Sequence, residues 1–90
     1  MEKKWYVYIL LCGDGTLYCG STDDVARRLA AHRSGKGAKY TRGRGPLELV
    51  YSEETENHSA ALKRECAIKW LSREEKWKLI ESKTHGTISE

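Results

Sequence analysis

Apolar and polar positions change period several times along the chain, and each change marks an element. From Trp5 to Cys12 nearly every residue is aromatic, β-branched or leucine (WYVYILLC), a run that reads as a buried strand. Gly13-Asp14-Gly15 is a turn signal. Thr16 to Ser21 then reads as a second, antiparallel strand, closing a hairpin. Thr22 is a fitting N-cap, with Asp23 and Asp24 in the first helical turn, where the helix dipole favours negative charge. Val25 to Ser34 forms the first helix: Val25, Leu29 and His32 recur at i, i+4 and i+7, with Arg28 at i+3 on the same stripe. Gly35 ends it. Residues 35–46 hold four glycines, one proline and four cations, and read as a long loop or a poorly ordered, extended arm. Leu47 to Ser52 is a third strand. Asn57 or Ser59 caps a second helix running to about Leu71. Ser72-Arg73-Glu74-Glu75 matches a capping box and starts a third helix that reaches about Ser82.

This order, β-β-α-β-α-α, predicts an α+β fold: a three-stranded, mainly antiparallel sheet flanked by helices. Covering such a sheet with helices is the simplest way to hide an apolar face. The chain of 90 residues fits one domain over residues 1–82, with 83–90 expected to be a disordered C-terminal tail. Apolar residues make up 39% and charged residues 32%, a globular composition leaning polar. The Trp5–Cys12 run is far too short to span a membrane, and no small-residue cleavage site follows it. The expected compartment is the cytoplasm, with no membrane partner. Cys12, Cys19 and Cys66 form no C-x-x-C pair, and their odd number argues against a disulfide framework or zinc site.

Charge adds more through its placement than through its sum. The net charge is only +3, but Val25 to Leu47 contains no acid and holds seven of the sixteen cations: Arg27, Arg28, Arg33, Lys36, Lys39, Arg42 and Arg44. A field of that kind attracts polyanions. Tyr40, inside the basic loop, could stack on a base, and the glycines there let backbone N–H groups approach a phosphate.

A few positions could carry chemistry. Tyr8 and Tyr18 lie on the two hairpin strands and fall near each other across the sheet. A strand tyrosine is ordinarily a packing residue, but a phenol beside cations has a lowered pKa and can act as a general base. Arg28 and His32 share the buried stripe of the first helix, where an arginine needs an anionic or aromatic partner. It is either a structural stack on tyrosine or a clamp on a transferring phosphate. Glu65 lies on the apolar stripe of the second helix, with Ala61, Leu62 and Ile68. A buried cation such as Arg28 satisfies it, or a metal does. Mg²⁺ needs only one or two protein carboxylates, because water and phosphate oxygens fill its other positions.

Taken together, these stretches resemble the GIY-YIG nuclease superfamily, and within it the small stand-alone UPF0213 proteins. The matching segments are Tyr6-Val7-Tyr8-Ile9-Leu10, Leu17-Tyr18-Cys19-Gly20-Ser21-Thr22, Val25 to His32, Gly35 to Arg42, and Ala60 to Glu65, within a likeness over about residues 5–82. The resemblance implies a catalytic set of Tyr8, Tyr18, Arg28, His32 and Glu65. Tyr8 would be the general base, Arg28 would stabilise the transferring phosphate, and Glu65 would hold Mg²⁺ or Mn²⁺. Gly20 would give close backbone approach, and with Arg27, Arg33, Lys36, Lys39, Tyr40, Arg42 and Arg44 would bind nucleic acid. The first motif departs from the family pattern in having Tyr6 for its usual glycine, and no asparagine follows Asn57. The expected activity is metal-dependent hydrolysis of phosphodiester bonds in DNA, selective for structure rather than sequence, by a monomer without an organic cofactor. The competing expectation is a non-catalytic nucleic-acid-binding module; a protein-interaction domain ranks third.

Overall fold

The structure, a computed structural model, describes residues 4–37 and 39–88, with side chains for all of these except Tyr40 and 84–88. The elements are β1 (Trp5–Leu11), β2 (Leu17–Thr22), α1 (Val25–Arg33), a 3₁₀ turn (Lys39–Thr41), β3 (Glu48–Thr55), α2 (His58–Lys69) and α3 (Arg73–Ile88). The sheet is fully antiparallel with spatial order β2-β1-β3. The expected α+β fold and element order hold.

β1 is the central strand, and this explains its unbroken apolar run. Val7, Tyr8, Ile9 and Leu10 are all buried. Strand alternation sends them to opposite faces. Val7 and Ile9 pack with Cys19, Tyr51, Ala61, Ile68 and Ile80, the side covered by α2 and α3. Tyr8 and Leu10 pack with Cys12, Leu47, Tyr18 and Leu29, the side covered by α1. The sheet is therefore covered on both faces rather than one, as a continuous apolar strand requires.

Several boundaries differ from expectation. The N-cap of α1 is Asp24, whose carboxylate accepts from Arg27 N–H at 3.0 Å. Thr22 instead accepts from Asp24 N–H through its hydroxyl, a local turn that keeps Asp23 and Asp24 out of the helix. Asn57 caps α2, accepting from Ala60 N–H at 2.8 Å. The Ser72/Glu75 capping box forms reciprocally. β3 runs on to Thr55, because Glu53 and Glu54 continue the ladder with β1. α3 continues past Ser82 to Ile88 where a tail was expected; Lys83 donates to Ser52 O and lies 5.2 Å from the Tyr51 ring centroid, which anchors the added turns. Ser89 and Glu90 lie outside the described residues.

The basic loop is docked, not an extended arm. Gly13 N–H donates to Arg44 O, Arg44 pairs with Asp14, and Thr41 and Leu47 are buried. Arg33 closes the loop's far end, donating from Nε and Nη2 to Leu47 O at 3.2 and 3.0 Å. No described helix is long and apolar enough to cross a membrane. The cysteines are free; Cys12 and Cys19 are buried and Cys66 is exposed.

Candidate active site

Tyr8 is the hub. It stands mid-β1 on the α1 side of the sheet and is 2% exposed. Its partner across the β1–β2 ladder is Gly20. A Cβ on Gly20 would fall 2.6 Å from the Tyr8 hydroxyl oxygen and 2.8 Å from Cζ. The missing side chain therefore makes room for the phenol.

The stripe on α1 delivers the remaining partners. His32, 2% exposed, sits with Nε2 2.8 Å from the Tyr8 hydroxyl and Nδ1 2.9 Å from Thr41 Oγ1. With Nδ1–H donating to Thr41, Nε2 accepts from Tyr8. The Tyr18 ring meets His32 edge-on at 5.4 Å and Tyr8 at 6.4 Å between centroids. Arg28, one helical turn before His32, acts on the Tyr8 phenol as a cation that favours its ionised form.

Glu65 arrives from the other side. α2 covers the opposite face of the sheet but packs most closely on β2, the edge strand. There the Glu65 carboxylate, 17% exposed, holds Lys69 Nζ at 2.7 Å. Lys69, not Arg28, is its ion-pair partner. The charge on Glu65 opposes ionisation of Tyr8, Tyr18 and Cys19 alike, so its field reaches both phenols. Tyr8, Tyr18 and His32 thus meet in one cluster, with Arg28 and Glu65 acting on it through their charges.

Electrostatics correct one expectation. Burial pushes the Tyr8 phenol up to about 12, although Arg28 pulls the other way. Tyr18 is also raised, again by burial. Neither phenol is acidified, because loss of water outweighs the neighbouring cation. A free Tyr8 phenolate at neutral pH would therefore cost about 7 kcal/mol. Burial, and secondarily Arg28, lower His32, which stays neutral and able to accept a proton.

The expected nucleic-acid contacts divide. Arg27 pairs with Asp23 at 2.6 Å, Arg44 with Asp14, and Arg33 is committed to Leu47. Each of these three cations has a partner within the fold. Lys36, Lys39 and Arg42 are exposed on the docked loop. The Tyr40 side chain lies outside the described residues. An open groove of about 370 Å³ passes Arg28, lined also by Trp5, Ser21, Thr22, Asp23 and Arg27. Sequence reasoning missed Thr41 and Lys69.

No group of three or more metal-ligating side chains occurs among the described residues. The donor set is one part-buried carboxylate, whose present cation is a half-exposed lysine. That set suits Mg²⁺ or Mn²⁺, which complete their shells with water and phosphate oxygens, and not zinc, which wants a closed set of nitrogen and sulfur ligands.

This tyrosine cluster, on this three-stranded sheet, is part of a GIY-YIG domain. The family model described as the GIY-YIG catalytic domain matches residues 4–83, and the chain belongs to that family, which is a family of nucleases. Within it, the chain is 54% identical over 84 residues to a UPF0213 protein of Natronomonas pharaonis, covering 93% of this chain and 99% of that one. It is 53% identical over 81 residues to a UPF0213 protein of Oceanobacillus iheyensis, covering 90% and 94%. Its fold is similar to the solution NMR structure of a UPF0213 protein from Bacillus halodurans, with a TM-score of 0.59, 50% identity, and coverage of 89% of this chain and 85% of that one.

Proposed function

We propose that this protein is a Mg²⁺-dependent nuclease that hydrolyses phosphodiester bonds in DNA, choosing targets by structure rather than sequence. The observation that carries the reading is the Tyr8 hydroxyl, bonded to the Nε2 of a neutral, buried His32 and lying in the fields of Arg28 and Glu65.

The magnitudes select the route of the proton. A preformed phenolate is too costly, so Tyr8 takes the proton of the attacking water as it passes its own to His32 Nε2. The pair then acts as one base, and no free phenolate accumulates. His32 is returned to neutral by releasing that proton after cleavage. The Thr41 hydroxyl fixes the ring and its tautomer. Arg28 stabilises the negative charge that builds on the phosphoryl oxygens, and the Tyr18 hydroxyl helps orient the water. Glu65 would hold the metal once Lys69 releases it; bound there, Mg²⁺ supplies Lewis-acid polarisation of a phosphoryl oxygen. Lys36, Lys39 and Arg42 would hold the backbone beside the cut, contacts that position DNA without reading bases.

Lys69 on the Glu65 carboxylate favours one other reading, a non-catalytic nucleic-acid-binding module that keeps the fold. Cleavage of plasmid and branched DNA in Mg²⁺ or EDTA, beside Glu65→Ala and Tyr8→Phe, separates the two. Mg²⁺-dependent cutting lost in both variants supports the nuclease. Salt-sensitive binding with no cutting supports the module.

A further inference from the structure

We propose that the cavity between β2 and the α2–α3 corner is a subsite for one unpaired nucleotide of the substrate strand, next to the cut. The proposal rests on the nuclease reading. The cavity has a volume of about 260 Å³ and is lined by Ile9, Leu17, Tyr18, Cys19, Lys69 and Lys76.

Its walls and rim have opposite characters. Leu17 gives the open apolar side, over the buried Ile9 and Cys19, and Tyr18 borders the cavity between Leu17 and Cys19 along β2, its phenol within the field of Lys69. Lys76 and Lys69, the latter paired with Glu65 at 2.7 Å, add two ammonium groups to the lining. A small apolar slot bordered by a tyrosine and two lysines is complementary to a nucleobase carrying its phosphate. The volume lies below the roughly 300–1,000 Å³ of ordinary small-molecule sites, and suits one ring system rather than a base pair. Bases inside a duplex are stacked and paired and cannot enter. Only an unpaired nucleotide, at an overhang, flap or fork, can turn its base into the slot.

The position fits the chemistry. Tyr18 and Lys69 belong both to the cavity and to the candidate active site. The cavity lies at the Leu17–Cys19 end of β2, and the groove past Arg28 lies at the Ser21–Thr22 end. Between them is Gly20, opposite Tyr8. A strand following the β2 edge for roughly 17 Å would cross the active centre. Its base on one side of the cut would rest in the cavity, and its backbone would leave past Arg27 and Arg28.

The test measures binding by fluorescence anisotropy in EDTA, which prevents cutting. It compares a duplex carrying a single-stranded overhang with the blunt duplex, for the unaltered protein, Lys76→Gln and Leu17→Trp, which fills the slot. The unaltered protein should prefer the overhang by about five-fold or more, the effect of one base stacked on an aromatic ring. An abasic site at the first unpaired position should abolish the preference, as should both variants, with blunt-duplex affinity of Leu17→Trp retained. Amide resonances of Leu17, Cys19 and Lys76 should shift with the overhang and not with the blunt duplex. Lys76 is only half-buried and Gln keeps its length and polarity, so Lys76→Gln tests the idea even if Leu17→Trp misfolds. Equal affinity for both duplexes, or a preference that survives Lys76→Gln and the abasic site, overturns the subsite. Mg²⁺-dependent cutting with no overhang preference removes the subsite and leaves the nuclease. Overhang preference lost in Lys76→Gln, in a protein that never cuts, keeps the subsite and removes the nuclease.

Discussion

Gly20→Ala isolates the packing that builds the site. Gly20 lies inside β2 with an ordinary strand conformation, since its φ is not among the positive values. On backbone grounds alone, alanine should stabilise such a position by about 0.5–1 kcal/mol. The structure reverses that sign. The new methyl would lie 2.6 Å from the Tyr8 hydroxyl oxygen, and ordinary contact begins at 3.4 Å, so the ring must retreat by 3.4 − 2.6 = 0.8 Å. Tyr8 is buried in the core, where overpacking costs about 1–3 kcal/mol. A shift of that size also breaks its 2.8 Å bond to His32. The net expectation is a loss of about 1–2 kcal/mol, read as a urea midpoint lower by about 1 M or more at a slope near 1 kcal/mol/M. Cutting should fall about 100-fold, as expected for a reacting group misplaced by about 1 Å. A variant as stable as the parent that cuts normally would refute the account of Gly20 as the space that admits the Tyr8 phenol.

Three further outcomes follow from the same geometry. His32 has a folded pKa below its unfolded value because burial and Arg28 disfavour its cation, so the unfolded chain binds the extra proton first. Its share of stability should be complete above about pH 6.5 and fade as the pH drops towards the folded value. Melting curves should flatten in this window for His32→Gln, and the acid limb of cutting should lie below it. Arg33→Ala should cost about 1 kcal/mol in urea melts, through the lost bonds to Leu47 O, with DNA affinity nearly unchanged; Arg42→Ala should leave stability alone and reduce the salt slope of DNA binding by about one unit. Lys69→Met should free Glu65 and tighten Mn²⁺ binding several-fold, seen as paramagnetic broadening at the Glu65 amide at lower Mn²⁺; weaker binding would contradict the pairing as a competitor of the metal.

The parts of the fold legible in the sequence are those set by local period and caps. The apolar run of β1, the Gly13–Gly15 turn, the Asn57 cap and the Ser72/Glu75 box all act within a few residues. So do the positions that make the site. Strand alternation puts Tyr8 on one face, and the helix stripe puts Arg28 and His32 over it. What failed depends on distant partners. The docking of residues 35–46 rests on Gly13 with Arg44 and Arg33 with Leu47, which leave no local signal. Thr41 carries no period that ties it to His32. The lowered phenol pKa was misjudged because a neighbouring cation is visible in sequence and depth of burial is not. Lys69 could have been found: it stands four residues after Glu65 on the same helix, the spacing of an intrahelical ion pair.

The central claim is that Tyr8 and His32 form one proton path. A double-mutant cycle on single-turnover cutting of branched DNA in Mg²⁺, with Tyr8→Phe, His32→Gln and the pair, tests it most directly. The account predicts that the double variant cuts no more slowly than the worse single variant, because either change already breaks the shared path. Losses that multiply in the double variant would show two independent groups and contradict it.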